Sequence, residues 1–332
     1  MSSLVVSFAL LIGSAALIYL ACEYFVNGVE WVGRKLSVGP QATGTVLAAF
    51  GTALPESVVT LVAVASGGAL GKELGVGAAL GGPLALATIA YATVGGVLLL
   101  TKQRFAVTAA VQGDFRRLRR DQSWFLLLFA IKVALGLVLF AGKAWTALIF
   151  LAAYLLYVAH EMRSESDLGA EEAIEPLRFQ RHAATPAALA ALGQTGLALL
   201  VIFAASHVFV DQLEVIGPAF GLSPQLVALL LSPIATELPE TMNAVIWVRQ
   251  GKYRLALANI SGAMMVQATV PTALGLIFTP WLLGHALLIS AGVTAAAILT
   301  MMMAFSRGHI SRRLLAAMGL FYLVFIVGLF VI

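Results

Sequence analysis

Charge is what this chain has least of. Asp, Glu, Lys and Arg make up 11% of its 332 residues, against roughly 25% in soluble domains, and mean hydropathy is +0.97. A soluble globular protein is thereby excluded, and no polar stretch is large enough to carry chemistry as a separate domain. Segments of about ten residues with alternating hydrophobicity, the mark of an outer-membrane barrel, are missing too. The single cysteine, Cys22, lies in an apolar run, so it forms no intrachain disulfide and signals no redox role. The first apolar run has no basic residues ahead of it, which argues against a cleaved secretory signal. His160-Glu161 has no second histidine at the spacing of a helical zinc protease, and no nucleophile–base pair appears at a useful spacing. An enzyme is not expected.

What the chain has is hydrophobic length. With 61% hydrophobic residues arranged in many runs of about 20, it reads as an all-α polytopic membrane protein. Ten spans can be drawn, at about 4–26, 40–66, 74–100, 122–142, 144–162, 187–210, 222–248, 255–279, 281–305 and 313–331. The loops after the odd-numbered spans hold 17 of the 20 basic residues, among them Arg34, Arg116, Arg120, Arg178, Lys252 and Arg312. The opposite face has Lys72 and Lys143, while Lys132 falls inside span four and either pairs with an acid or snorkels. The positive-inside rule then puts the five basic loops in the cytoplasm and both termini outside the cell (inner) membrane. The pI of 9.3 reflects these loops; the lipid bilayer is the expected partner, and nucleic acid is not. The basic segment 104–121 is expected to lie as a surface helix against anionic headgroups.

Two expensive acids organise the rest. Residues 232–240 read SPIATELPE in the middle of an apolar run, and 51–56 read GTALPE in another. A charge at bilayer depth costs several kcal/mol, so packing alone does not explain these glutamates. The two motifs share a register: Thr52 with Thr236 and Glu56 with Glu240, each offset by 184 residues. The same offset aligns Asn27 with Asp211, Glu30 with Glu214, Glu23 with His207 and Gly67 with Gly251; three residues are then inserted, and Gly81 aligns with Gly262 at 181. The chain is therefore expected to be a duplication: a first five-helix repeat at 1–162, a cytoplasmic linker at 163–184 that reads as solvated, and a second five-helix repeat at 185–332. An odd number of spans per repeat makes the two halves inverted in topology.

Pro55 and Pro239 lack an N–H, so the carbonyls four residues earlier, at Gly51 and Ala235, lose their helical partners. At bilayer depth such groups persist only where protein, water or an ion satisfies them. Each motif thus offers a free carbonyl, a threonine hydroxyl (Thr52, Thr236) and a carboxylate (Glu56, Glu240). An all-oxygen set of this kind suits hard inorganic cations. Beyond the motifs, Gln267, Asn259 and Asn243 either line the site or pack between helices. Glu23 and His207 either line an access path or pack against neighbours, and Asp211 either attracts cations or ends a solvated helix.

Glu237 adds a third carboxylate three residues before Glu240. Two carboxylates about 4 Å apart repel by roughly 4 kcal/mol at an effective dielectric near 20. An empty pocket is therefore expected to hold at least one proton, which a divalent cation expels.

Gly51-Thr-Ala-Leu-Pro-Glu56 and Ala235-Thr-Glu-Leu-Pro-Glu240 resemble the two signature motifs of the sodium/calcium exchanger superfamily of cation antiporters, and the resemblance covers nearly the whole chain. It implies a fold in which spans two, three, seven and eight surround a central site while spans one and six slide across them. It also implies that Glu56 and Glu240 are the main cation ligands, that Thr52 and Thr236 add oxygens, and that Ca²⁺ is the default substrate with Na⁺ or H⁺ as counter-ion, no cofactor being needed. The chain departs from the family pattern at Ala53 and Glu237, where serine is common. It departs again at Ala78–Pro83 with Leu86, and at Asn259–Met264 with Gln267, where several hydroxyl and amide ligands are replaced.

Overall fold

The computed structural model describes residues 2–38, 42–66, 68–101, 109–163, 174–219, 230, 233, 236–308 and 310–331. Among them every regular element is helical. They are α1 (Ser2–Lys35), a π turn (Thr43–Ala48) leading into α2 (Ala49–Ser66), then α3 (Gly68–Ala85), which continues through a second π segment (Leu86–Ala90) into α4 (Tyr91–Leu100). After these come α5 (Ala109–Leu137), α6 (Ala147–Arg163), α7 (Ala188–Ala219), α8 (Leu238–Arg249), α9 (Tyr253–Phe278), α10 (His285–Ser306), α11 (Arg312–Ala317) and α12 (Gly319–Val331).

Seven described segments are long and apolar enough to cross a membrane: Leu4–Lys35, Gly75–Leu100, Lys143–Arg163, Ala188–Phe209, Tyr253–Phe278, His285–Ser306 and Arg312–Phe330. They fall on expected spans one, three, five, six, eight, nine and ten. α2, α5 and α8 lie where the other three were drawn. α5 begins well before its apolar part because its first turns carry the basic stretch, and residues 220–229 of the seventh span lie outside the described residues.

α9 is the centre of the bundle. Of its most apolar window 83% is buried, against 22% in α1 and 28% in α7. The sequence explains the difference. α9 carries Asn259, Ser261, Gly262, Gln267, Thr269 and Thr272, all buried, and such groups are tolerated at bilayer depth only on interior faces. The outer faces of α1 and α7 are Leu and Val, as lipid contact allows. α9 packs against α2, α3, α5, α6 and α8, whereas α1 and α7 pack chiefly on each other. Glycine sets the closest approach: a Cβ at Gly262 would collide with the backbone of Thr45 in the first π turn, and Gly44 of that turn lies against Ala258 and the Leu255 carbonyl.

Helix ends gather in two groups. At one face Glu30 of α1 pairs with Lys252, just before α9, and accepts a hydrogen bond from Trp247 Nε1 at 2.7 Å. On the same side of α5, Arg120 pairs with Glu161 of α6. At the other end of α5, Lys143 donates to the carbonyls of Val138, Pro280 and Trp281 at 2.7, 3.1 and 2.9 Å, and Leu283 N–H donates to the Gly136 carbonyl at 3.0 Å.

The described part of the linker is held at several points while Glu175, Pro176, Phe179, Arg181 and His182 stay exposed. Asn27 Nδ2 and Trp31 Nε1 of α1 donate to the Glu175 carbonyl at 3.2 and 2.9 Å. Asn27 Oδ1 accepts from Arg178 N–H at 3.1 Å, and Gln194 Oε1 of α7 accepts from Phe179 N–H at 2.9 Å. Leu177 is fully buried beneath them. The acids Glu165, Asp167, Glu171 and Glu172 lie outside the described residues.

Candidate functional site

Pro239 shapes the second motif. It occupies the first turn of α8, where its missing N–H costs nothing, and Glu237 becomes the N-cap with φ −89° and ψ 7°. The backbone departs from helical geometry at this bend. Glu237 precedes the helix and Glu240 sits in its first turn, where the helix dipole favours a negative charge. Both are buried, each 1% exposed.

The bend aims Glu237 at two other helices. Gln267 Nε2 of α9 donates to Glu237 Oε1 at 2.8 Å. From α3, Gly82 supplies the room: a Cβ there would lie 2.6 Å from Glu237 Oε1 and 3.0 Å from Gln267 Cδ. The neighbouring Gly81 packs its bare backbone against the Pro233 ring. Backbone groups of the motif are held as well. Asn259 Nδ2 donates to the Glu240 carbonyl at 3.1 Å, Cys22 Sγ of α1 to the Pro239 carbonyl at 3.7 Å, and Thr241 N–H and Oγ1 to the Glu237 carbonyl at 3.0 and 2.9 Å.

Asn243 lies one turn past Glu240. It is fully buried, and among the described residues neither its Nδ2 nor its Oδ1 has a hydrogen-bond partner; the same holds for Asn259 Oδ1. A buried amide left unsatisfied costs about 1–3 kcal/mol, so polar groups of this kind normally have a partner.

On the first motif, Thr52 is buried and donates its hydroxyl to the Ala48 carbonyl at 3.0 Å. Thr236 donates to the Pro233 carbonyl at 3.3 Å. In both, the hydroxyl proton is used locally while the oxygen lone pairs stay available to a cation. Gly51 lies against Phe25 of α1 and Leu199 of α7, so the two peripheral helices cross α2 at the motif. The backbone of Glu56 lies in α2, which runs through Pro55 without a break; the Glu56 side chain and all of Ala235 lie outside the described residues.

The remaining candidates have other neighbours. Glu23 pairs with Arg178 of the linker at 3.2 Å, and that guanidinium lies over Tyr24. His207 is exposed on α7, its Nδ1 3.1 Å from the Phe203 carbonyl, and Asp211 is exposed one turn further on. The structure therefore brings Glu237, Glu240, Gln267, Asn243 and Asn259 to one region and leaves Glu23, His207 and Asp211 at its periphery.

A profile of the family described as "Sodium/calcium exchanger protein" matches residues 6–162 and 190–331. The chain belongs to the sodium/calcium exchanger family. "Inner membrane protein YrbG" of Escherichia coli is 28% identical over 279 residues, 82% of this chain and 80% of its own. "Putative antiporter CaxA" of Alkalimonas amylolytica is 27% identical over 343 residues, 97% of this chain and 99% of its own. Among solved structures, the sodium-calcium exchanger NCX_Mj superposes with a TM-score of 0.75 over 98% of this chain and 99% of its own, at 17% identity. The fold is thus the exchanger membrane fold.

Two residues that touch the second motif are absent from the candidates read from sequence. Gly82 was visible only as a missing ligand, although a glycine in a buried helix is itself a sign of close approach. Cys22 carried no message, because its partner is a main-chain carbonyl with no signature in sequence.

Proposed function

We propose that the protein is a secondary active cation antiporter, exporting Ca²⁺ or a related cation in exchange for Na⁺ or H⁺ by alternating access. The observation that carries this reading is the convergence of α3, α8 and α9 on Glu237, with Gly82 giving the space and Gln267 the hydrogen bond. Glu240 and the Asn243 and Asn259 oxygens, without a partner among the described residues, supply further hard donors. Thr236 and the Ala235 carbonyl from the same motif, with Glu56, Thr52 and the Gly51 carbonyl from the facing one, complete the proposed set.

A cation entering this pocket offsets the mutual repulsion of the carboxylates; in its absence a proton does so. Glu237 makes this exchange possible without the hydroxyl ligands that the chain lacks, which favours H⁺ as a counter-ion and leaves a cation other than Ca²⁺ as the alternative cargo. The related NCX_Mj structures were obtained with Na⁺, Sr²⁺ or Ca²⁺ soaks, which supports Ca²⁺ and Na⁺ as the first ions to try. The α1–α7 pair, packed mainly on itself, is the proposed moving body.

Ten spans in two inverted repeats, 1–162 and 185–332 about the 163–184 linker, remain part of this proposal. The two family-matched segments support it. So do the register-matched glycines: Gly81 meets the motif segment of the second half at Pro233, and Gly262 meets that of the first at Thr45. The proposed location is the inner membrane with both termini outside, supported by the basic loops and by the common face at which their helix ends gather.

Proteoliposome flux tests the function. Ca²⁺, Mg²⁺, Mn²⁺, Na⁺ and K⁺ are each offered against an opposing sodium or pH gradient. Antiport requires the counter-ion gradient; cation passage down its own gradient with no counter-ion would instead show a channel.

A further inference from the structure

Pro83 lies inside α3. Its ring nitrogen carries no hydrogen, so the carbonyl of Ala79, four residues earlier, has no helical donor. Ala79 is fully buried, and an unsatisfied carbonyl in a membrane interior must be met by protein, water or an ion. Lys132 meets it. The side chain reaches across from α5, and Nζ donates to the Ala79 carbonyl at 2.8 Å while lying 4.9 Å from the centre of the Phe129 ring. The expected alternatives, pairing with an acid or snorkelling, are both replaced. Lys132 is fully buried, and among the described residues no carboxylate lies within ion-pair distance of it.

The ammonium is held in place from behind. Trp281 Nε1 donates to the Lys132 carbonyl at 2.9 Å, and the Trp281 indole is fully buried against the bare backbone of Gly275 in α9. Trp281 adopts φ 51°, a left-handed conformation that bulky residues rarely take, as the price of that position. Ala79 is also three residues from Gly82, hence on the same side of α3, and Gly82 faces Glu237 and Gln267.

We infer that Lys132 is a resident monovalent cation: its ammonium occupies the carbonyl that Pro83 frees, one helical turn from the cation pocket, where a mobile Na⁺, K⁺ or ammonium ion would otherwise bind. The inference rests on reading the Glu237–Gln267 pocket as a cation site. It makes Lys132 a specificity-determining residue, because a tethered charge cannot be exchanged and so removes one mobile monovalent ion from the transport cycle. Arg is not equivalent, since its planar fork does not reproduce a compact ammonium.

The test uses the full-length protein in two backgrounds. Lys132→Ala shortens the side chain and opens the carbonyl to solution ions. It is expected to lose about tenfold in exchange rate, the scale of a hydrogen bond to a charged group, and to lower the unfolding midpoint. Methylammonium or NH₄⁺ should restore both saturably, with Na⁺ or K⁺ restoring them less or more according to fit. In the second background Pro83→Ala returns an N–H to the Ala79 carbonyl, so Lys132→Met should cost much less there than beside Pro83. Equal losses from Lys132→Met in both backgrounds, or failure of every monovalent cation to shift the Lys132→Ala midpoint, would overturn the assignment. So would failure of the Lys132 variants to fold in either background, because Pro83→Ala should relieve the defect. The unfolding readout needs no transport, so wild-type protein that exchanges no cation would sink the antiport reading while leaving the ammonium result to stand.

Discussion

Gln267 donates its amide to Glu237 across 2.8 Å, joining the central helix α9 to the N-cap of α8. The contact fixes one oxygen of a buried carboxylate at the point where Gly82 of α3 leaves room for it. Gln267→Met removes the donor and keeps much of the volume. Loss of a hydrogen bond to a charged group should weaken the apparent affinity for the driving cation roughly tenfold or more, with little change in the maximal rate. Gly82→Ala should act in the same direction but less, since the carboxylate end can shift from the new methyl. Half-saturation measured in proteoliposomes checks both, and wild-type values in both would remove this contact from the transport site.

The carboxylates themselves should separate by role. Glu240→Gln and Glu56→Gln are expected to abolish exchange of every cation, because each removes charge from a motif. Glu237→Ser should retain exchange but shift its driving ion toward Na⁺ and flatten its dependence on pH. The sign follows from competition: protons and cation share the carboxylates, so wild-type cation affinity falls as pH falls. Full transport by either glutamine variant would displace the proposed ligands, and an unaltered pH profile in Glu237→Ser would remove the proton role from that residue.

The motifs were legible because acids are rare in apolar runs, so Glu56 and Glu240 stood out and their shared offset tied them together. Gln267 and Glu237 were legible only singly. Their contact joins positions 30 apart on two helices, and no shared sequence pattern ties one to the other. The partner of Lys132 was hidden for a different reason. Pro83 acts on the carbonyl of Ala79, and the group that answers lies 53 positions along the chain. The attachment points of the linker were hidden because they are main-chain groups, which amide side chains such as Asn27 and Gln194 recognise without any complementary residue type.

These attachments tie the linker to both peripheral helices at once. Gln194 Nε2 of α7 donates to the Tyr24 carbonyl and to Asn27 Oδ1 of α1, each at 2.9 Å. The linker, α1 and α7 are therefore expected to move as one body. Asn27→Ala strands the linker amide of Arg178 and should increase proteolysis within 163–184 and slow exchange severalfold, with half-saturation for cations unchanged. Limited proteolysis beside flux measurement checks this; a changed cation affinity would instead place Asn27 in the ion path.

At the same face α1 is fastened to the central helices by charge. Glu30 pairs with Lys252 and accepts the Trp247 indole N–H, and the two charged side chains are 6% and 10% exposed. Removing one partner of such a pair leaves the other buried and uncompensated, which costs about 3–5 kcal/mol; removing both can cost far less. Glu30→Gln and Lys252→Met should therefore each lower the unfolding midpoint sharply, and the double variant should recover much of the loss. If α1 slides during transport, this pair must open whenever its own face of the bundle does, so the double variant should also exchange cations faster than either single one. Losses that simply add would show that the two charges do not act on each other, and α1 would then have to be held to α8 and α9 by packing alone.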